Sequence, residues 1–152
     1  MSLRDRLQTA LKEAMKARAA DRLSTLRLIN AAIKDREIAN RSHGAEGLVS
    51  EDDILGILGK LVKQRQESAR AYEEGGRLEL AEKELAEIVV IEEFLPRPLD
   101  SAEVEAAIVA AIAETKAGSI RDMGRVIAAL KARYAGQMDF GAVGPMVKTR
   151  LG

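Results

Sequence analysis

Pro96 and Pro98, in the stretch "FLPRPLD", constrain this chain more than any other residues. A proline has no backbone N–H to give to a helix, and it pushes the residue before it toward extended geometry, so a helix arriving from the N-terminal side must end by Leu95. Helical periodicity restarts only after Asp100. This predicts an N-terminal helical domain over residues 1–95, a stiff connector over 96–100 and a small three-helix bundle over 101–152. A length of 152 residues accommodates one domain or two small ones.

The pieces read as all-α. The chain is 47% hydrophobic but only 3% aromatic, and it is dominated by Ala, Leu, Glu, Lys and Arg, which lose little freedom in a helix. The spacing predicts helices over about 3–19, 21–41, 51–74 and 77–94, then 101–115, 119–134 and 139–151. Their expected N-caps are Ser2, Asp21, Ser50, Asp100, Ser119 and Asp139, short side chains that accept hydrogen bonds from first-turn N–H groups. Ser50 with Asp53 and Asp100 with Glu103 resemble capping boxes. The second helix has apolar residues on two sides, Leu23, Leu26, Ile29 and Ile33 against Leu28 and Ala32, and is expected to be central. "SHGAEGLVS" (42–50) reads as a loop, and Gly75 with Gly76 as a left-handed helix stop.

Much chemistry is excluded by composition. The chain has no Cys, so it forms no disulfide and has no thiolate ligand or cysteine nucleophile. His43, the single histidine, sits in the loop and has no second member for a metal site or a nucleophile–base pair. Neither GxxxxGK[ST] nor GxGxxG occurs. No cofactor and no metal are expected. "MSLRDRLQTALKEAMK" carries charges throughout and lacks the 7 to 15-residue apolar core of a signal peptide, and no apolar run is long enough to span a bilayer. A cytoplasmic protein without a membrane partner is therefore expected.

Candidate sites rest on charge. Ser24 and Thr25 read as helix hydroxyls in packing or capping roles. Helix four carries Glu79, Glu82, Glu84, Glu87, Glu92 and Glu93, which form either a solvated acidic face or an acid–base pair. Arg65 falls among Leu58, Leu61 and Tyr72, and Glu92 among Leu85, Ile88 and Leu95. Two charges on facing apolar stripes predict a structural ion pair that fixes register, because a desolvated charge needs a partner. Overall charge balances, with 24 basic and 24 acidic residues, so any electrostatic preference is local. The tail is basic: Arg121, Arg125, Lys131, Arg133, Lys148 and Arg150 are candidate phosphate ligands, with little base readout because few aromatics are available for stacking. A solvated face fits them equally. Arg27, Asn30, Lys34, Glu37 and Arg41 draw a polar line along helix two that reads as a binding strip or as an ordinary water-facing one.

Three stretches carry a resemblance: "RLSTLRLINAAIKDREI" (22–38), "KQRQESARAYEEGGRLELAEKELAEIVVIEEFLPRPL" (63–99) and "SIRDMGRVIAALKARYAGQMD" (119–139). Together they resemble the GatB/YqeY family, in particular its free-standing YqeY-like members, over essentially the whole chain. The resemblance implies a helical domain with a three-helix tail, similar to the C-terminal end of the GatB subunit of the tRNA-dependent amidotransferase, which helps bind tRNA. Amide transfer and glutamine hydrolysis belong to other parts of that enzyme, and neither a cysteine nucleophile nor a Ser–Ser–Lys arrangement occurs here. The leading expectation is a non-catalytic accessory protein associated with tRNA or other RNA. The alternatives are a component of glutamine-dependent amide transfer (a carbon–nitrogen ligase) and a module that docks a protein partner.

Overall fold

Helix ends in this chain are set by hydrogen bonds to the orphan N–H and C=O groups of first and last turns. The computed structural model describes residues 2–42 and 48–152; His43 and the loop around it lie outside the described residues. Ser2 Oγ accepts from the Asp5 N–H at 3.1 Å and opens α1, Leu3–Ala17. Then come α2 (Ala20–Ser42), α3 (Glu51–Glu74), α4 (Leu78–Glu92), α5 (Ser101–Thr115), a 3₁₀ turn (Ile120–Asp122), α6 (Met123–Tyr134) and α7 (Phe140–Leu151). Among the described residues there is no strand, and the protein is all-α.

Four caps form at the expected side chains. Ser50 accepts from the Asp53 N–H at 3.1 Å and Asp139 from the Gly141 N–H at 3.0 Å. Asp100 accepts from the Glu103 N–H while the Glu103 carboxylate accepts from the Asp100 N–H, a reciprocal box. Two expectations need correcting. Asp21 lies inside the first turn of α2, which starts at Ala20, and its carboxylate favours the positive end of the helix without capping it. Ser119 makes no side-chain cap and opens only the 3₁₀ turn.

Three helices stop in the same way. The left-handed stop after α3 is at Gly76 (φ 74), not Gly75 (φ −84). Gly76 N–H donates to Glu73 O and Arg77 N–H to Tyr72 O, the paired bonds of a Schellman motif. Arg18 and Lys116 occupy the equivalent position after α1 and α5 with φ 53, although neither is glycine.

The chain forms two compact units, Met1–Leu95 and Pro96–Gly152. In the first, α2 packs against α1, α3 and α4, so it is central, and α3 and α4 form a helical hairpin about the Gly76 turn. The core joins Leu3, Leu7, Leu26, Ile29, Ile33, Ile54, Leu58, Leu61, Val62, Ile88, Ile91 and Phe94. It stops at Val62 on α3 and resumes only at Ile88 on α4. Beyond those residues the hairpin continues as a two-helix arm, about 17 Å long at 1.5 Å per residue, in which Ala69 and Ala81 are the buried side chains.

The second unit packs α6 against both α5 and α7. Its core of Ala107, Ile108, Ala111, Val126, Leu130, Val143 and Val147 is made of small and branched side chains. The 96–100 segment, expected as a connector, is fastened to this unit. Leu99 N–H donates to Gln137 O at 2.8 Å, Gln137 Nε2 donates to Arg97 O at 3.0 Å, and Arg97 grips the Glu103 carboxylate at 2.7 Å. Pro145 lies inside α7, where it has no N–H to donate to Gly141 O; both residues are exposed, so that carbonyl is not sealed from solvent.

Candidate functional site

The six tail cations are brought to one unit but not to one face. At about 100° per residue, Arg125, Lys131 and Arg133 leave α6 in three different directions. All six are exposed. Three of them are engaged within the unit. Arg133 reaches Glu114 on α5 at 2.9 Å, and Arg150 on α7 pairs with Glu105, also on α5. The two carboxylates lie nine residues apart on opposite sides of α5, so one arginine staples α6 to it and the other staples α7. Arg125 pairs with Asp122 at 2.8 Å. The Asp122 carboxyl is held below its ordinary value, first by the Gly118 N–H it accepts and then by Arg125, while Glu114 raises Arg133. The remaining cations are Arg121 on the 3₁₀ turn, Lys148 on α7, and Lys131, whose ammonium lies 5.8 Å from the centre of the Phe140 ring.

Arg121 and Lys148 belong to one end of the unit. A Cβ added at Gly152 would stand 3.5 Å from Ile120 Cδ1, which puts the C-terminus of α7 against the 3₁₀ turn. Arg125, one turn into α6, joins them there. Its contact with Asp122 leaves the guanidinium 59% exposed, in a pair of a kind that contributes little. This end of unit 2 is the candidate anion surface.

The predicted Arg65–Glu92 pair is corrected. Arg65 does turn inward, but its Nε donates to Glu87 Oε2 at 2.9 Å and a terminal nitrogen donates to Leu61 O at 3.1 Å. Glu92 is exposed. The physical reason is the width of the apolar surface on α4. Its buried positions are Ala81, Ile88 and Ile91, with Glu84 and Glu87 half-buried on the same side, whereas Leu78 and Leu85 are 60% and 44% exposed. Phasing the helix on Leu78 and Leu85 rotates the inner face by nearly a quarter turn and carries Glu92 inward with it.

Helix two divides likewise. Asn30 accepts from Gln8 at 3.5 Å, and Glu37, 7% exposed, accepts from Arg4 at 3.2 Å, so both belong to the α1–α2 seam. Sequence reasoning missed the Arg4–Glu37 pair, although Ile29, Ile33 and Glu37 share an i+4 spacing that placed the carboxylate on the buried stripe. Arg27, Lys34 and Arg41 stay exposed. Thr25 is buried and its hydroxyl donates to Asp21 O at 3.3 Å; Ser24 faces solvent. Among the helix-four carboxylates, Glu93 accepts two bonds from Arg22, at 2.5 and 3.1 Å. Among the described residues no group of three or more His, Cys, Asp or Glu could hold a metal ion, and no helix is long and apolar enough to cross a membrane.

A family model described as "Yqey-like protein" matches residues 4–151. The chain belongs to the YqeY-like family. Its relatives include "Uncharacterized protein C22F3.15" of Schizosaccharomyces pombe, 33% identical over 90 residues, 59% of this chain and 69% of that one. Two others are named "Altered inheritance of mitochondria protein 41, mitochondrial". The one from Eremothecium gossypii is 35% identical over 102 residues, 66% of this chain and 54% of the relative. The one from Clavispora lusitaniae is 36% identical over 89 residues, 59% and 49%. The chain thus spans about half the length of these two relatives. Proteins of Pyrenophora tritici-repentis, Candida glabrata and Kluyveromyces lactis carry the same mitochondrial name. These names overturn the cytoplasmic expectation for this YqeY-like chain. The absence of cysteine on which that expectation partly rested suits any reducing compartment.

Proposed function

We propose that this YqeY-like protein is a non-catalytic accessory protein that associates with RNA of the tRNA class through the end of unit 2 that carries Arg121, Arg125 and Lys148. The observation that supports this reading is that the C-terminus of α7, whose last turn carries Lys148, meets the 3₁₀ turn that carries Arg121, with Arg125 in the first turn of α6 directly after it, on a unit with eight Lys or Arg against six Asp or Glu. Contacts of this kind neutralise backbone phosphates and carry little sequence information. A role in amide transfer is disfavoured by what the carboxylates do: Glu87 is tied to Arg65 and Glu93 to Arg22, while Glu79, Glu82 and Glu92 face solvent. We also propose that residues 1–95 and 101–152 act as separate domains, with the 96–100 segment moving as part of the second.

Binding of labelled tRNA by fluorescence anisotropy tests the reading. With about three phosphates neutralised, affinity falls about 40-fold between 50 and 200 mM salt. Arg121→Glu with Lys148→Glu abolishes binding, whereas Arg133→Glu, in the last turn of α6 and in an exposed pair with Glu114 of a kind that contributes little, changes neither binding nor stability by more than a small amount. Absence of binding even at 20 mM salt refutes the proposal.

A further inference from the structure

We propose that two copies of this chain associate through unit 1, the outer face of α2 of each copy lying on the outer face of α4 of the other. The α4 strip is Leu78, Glu82, Leu85, Val89 and Glu92, spaced 4, 3, 4, 3. All five side chains are exposed, Leu78 by 60%, Leu85 by 44% and Val89 by 64%. An uncovered row of large apolar residues on a helix already packed on its other side is the mark of an interaction face. The α2 strip is Arg27, Ala31, Lys34, Ile38 and Arg41, again spaced 4, 3, 4, 3 and again wholly exposed, Ile38 by 58%.

The two strips match in length, repeat and charge. Each covers 15 residues, about 21 Å of helix from end to end, with the alternating spacing by which two helices keep one seam in contact. One carries three cations and the other two carboxylates, each set interleaved with apolar side chains. The long stems of Arg27, Lys34 and Arg41 cover Leu and Val surface while their charged ends reach the flanking glutamates. A chain does not satisfy this match by itself, because its own α2 and α4 meet through their buried stripes, where Ile29 and Ile33 share a core with Ile88 and Ile91, and both strips stay exposed. A second copy offers both strips at once, and reciprocal use of them closes a two-fold dimer with two equivalent contacts. Charged residues within the seam make the association weak and reversible, since polar groups at seam positions trade stability for a fixed register.

Sedimentation equilibrium of the nuclease-treated full chain tests this in three preparations. The unaltered chain shows a concentration-dependent dimer that weakens as salt rises. One variant carries Arg27→Glu, Lys34→Glu and Arg41→Glu; another carries Glu82→Lys and Glu92→Lys. Each is monomeric alone, since its strips repel, and an equimolar mixture of the two restores the dimer because opposite charges again face each other in both contacts. Restoration also shows that the variants are folded. A chain that stays monomeric up to about 1 mM overturns the proposal. So does a dimer that survives both sets of reversals.

Discussion

Arg65 and Glu87 sit where the core of unit 1 gives way to the two-helix arm, and their pairing provides the sharpest test of the fold. The Arg65 side chain is 11% exposed and that of Glu87 22%. Exposed ion pairs contribute about 0–1 kcal/mol, whereas removing one partner of a fully buried pair costs about 3–5 kcal/mol because a desolvated charge is left alone. A pair of intermediate burial, with Leu61 O still available to the guanidinium, puts the cost of Glu87→Gln at about 2 kcal/mol. Because Ala69 and Ala81 are the buried side chains of the arm beyond this point, the loss appears first as local opening. Hydrogen exchange followed by mass spectrometry reads it directly: amides of residues 65–74 and 78–87 exchange about 30-fold faster, at a factor of ten per 1.4 kcal/mol. Glu92→Gln, the same change at an exposed site, alters exchange by less than about twofold. Replacing both partners by apolar residues, Arg65→Met with Glu87→Leu, recovers most of the loss, since no charge is left unpaired. Equal effects of Glu87→Gln and Glu92→Gln, or a double variant as fast as Glu87→Gln alone, would refute the reasoning.

Two further outcomes follow from local geometry. Arg18 and Lys116 hold φ 53 at helix stops, a conformation that costs a side-chain-bearing residue about 1 kcal/mol relative to glycine, so Lys116→Gly raises the urea midpoint with m unchanged. The Glu103 carboxyl is pulled down from 4.5 to about 2, first by its hydrogen bond from Arg97 and then by the Asp100 N–H. A depressed carboxyl contributes stability that is complete above its unfolded value and lost as pH falls through its folded one. Unit 2 therefore weakens between about pH 4.5 and pH 2, and urea titrations across that window show the slope flattened in Glu103→Gln; an unchanged slope contradicts the assignment.

The fold was legible because its signals are local. Proline at 96 and 98, glycine at 76 and acceptor side chains at Ser2, Ser50, Asp100 and Asp139 act on the backbone within four residues, and each fixes a boundary without reference to tertiary contacts. Asp21 misled because a carboxylate suits both the cap and the first turn. The charged sites were less legible because they depend on azimuth and on neighbours. Nothing in residues 121–150 alone shows that Arg133 and Arg150 answer Glu114 and Glu105, since the carboxylates belong to another helix. The partner of Arg65 required knowing which part of the α4 apolar surface α3 covers.

That last uncertainty has a structural cause. A helix packed on one side needs an apolar stripe about 100° wide, and on α4 the buried side chains Ala81, Ile88 and Ile91 supply it. Leu78, Leu85 and Val89 extend the apolar surface well beyond that stripe, and α3 and α2 leave this margin uncovered. A helix drawn only to support the fold would carry polar residues there, and its phase would then be readable from periodicity alone. The margin that blurred the periodicity is the same one that offers a surface to a second copy. Val89→Asp, which leaves Ile88 and Ile91 in place, separates the two roles: it removes self-association while changing the stability of unit 1 by no more than about 0.5 kcal/mol. A loss of several kcal/mol instead would mean that the margin belongs to the core.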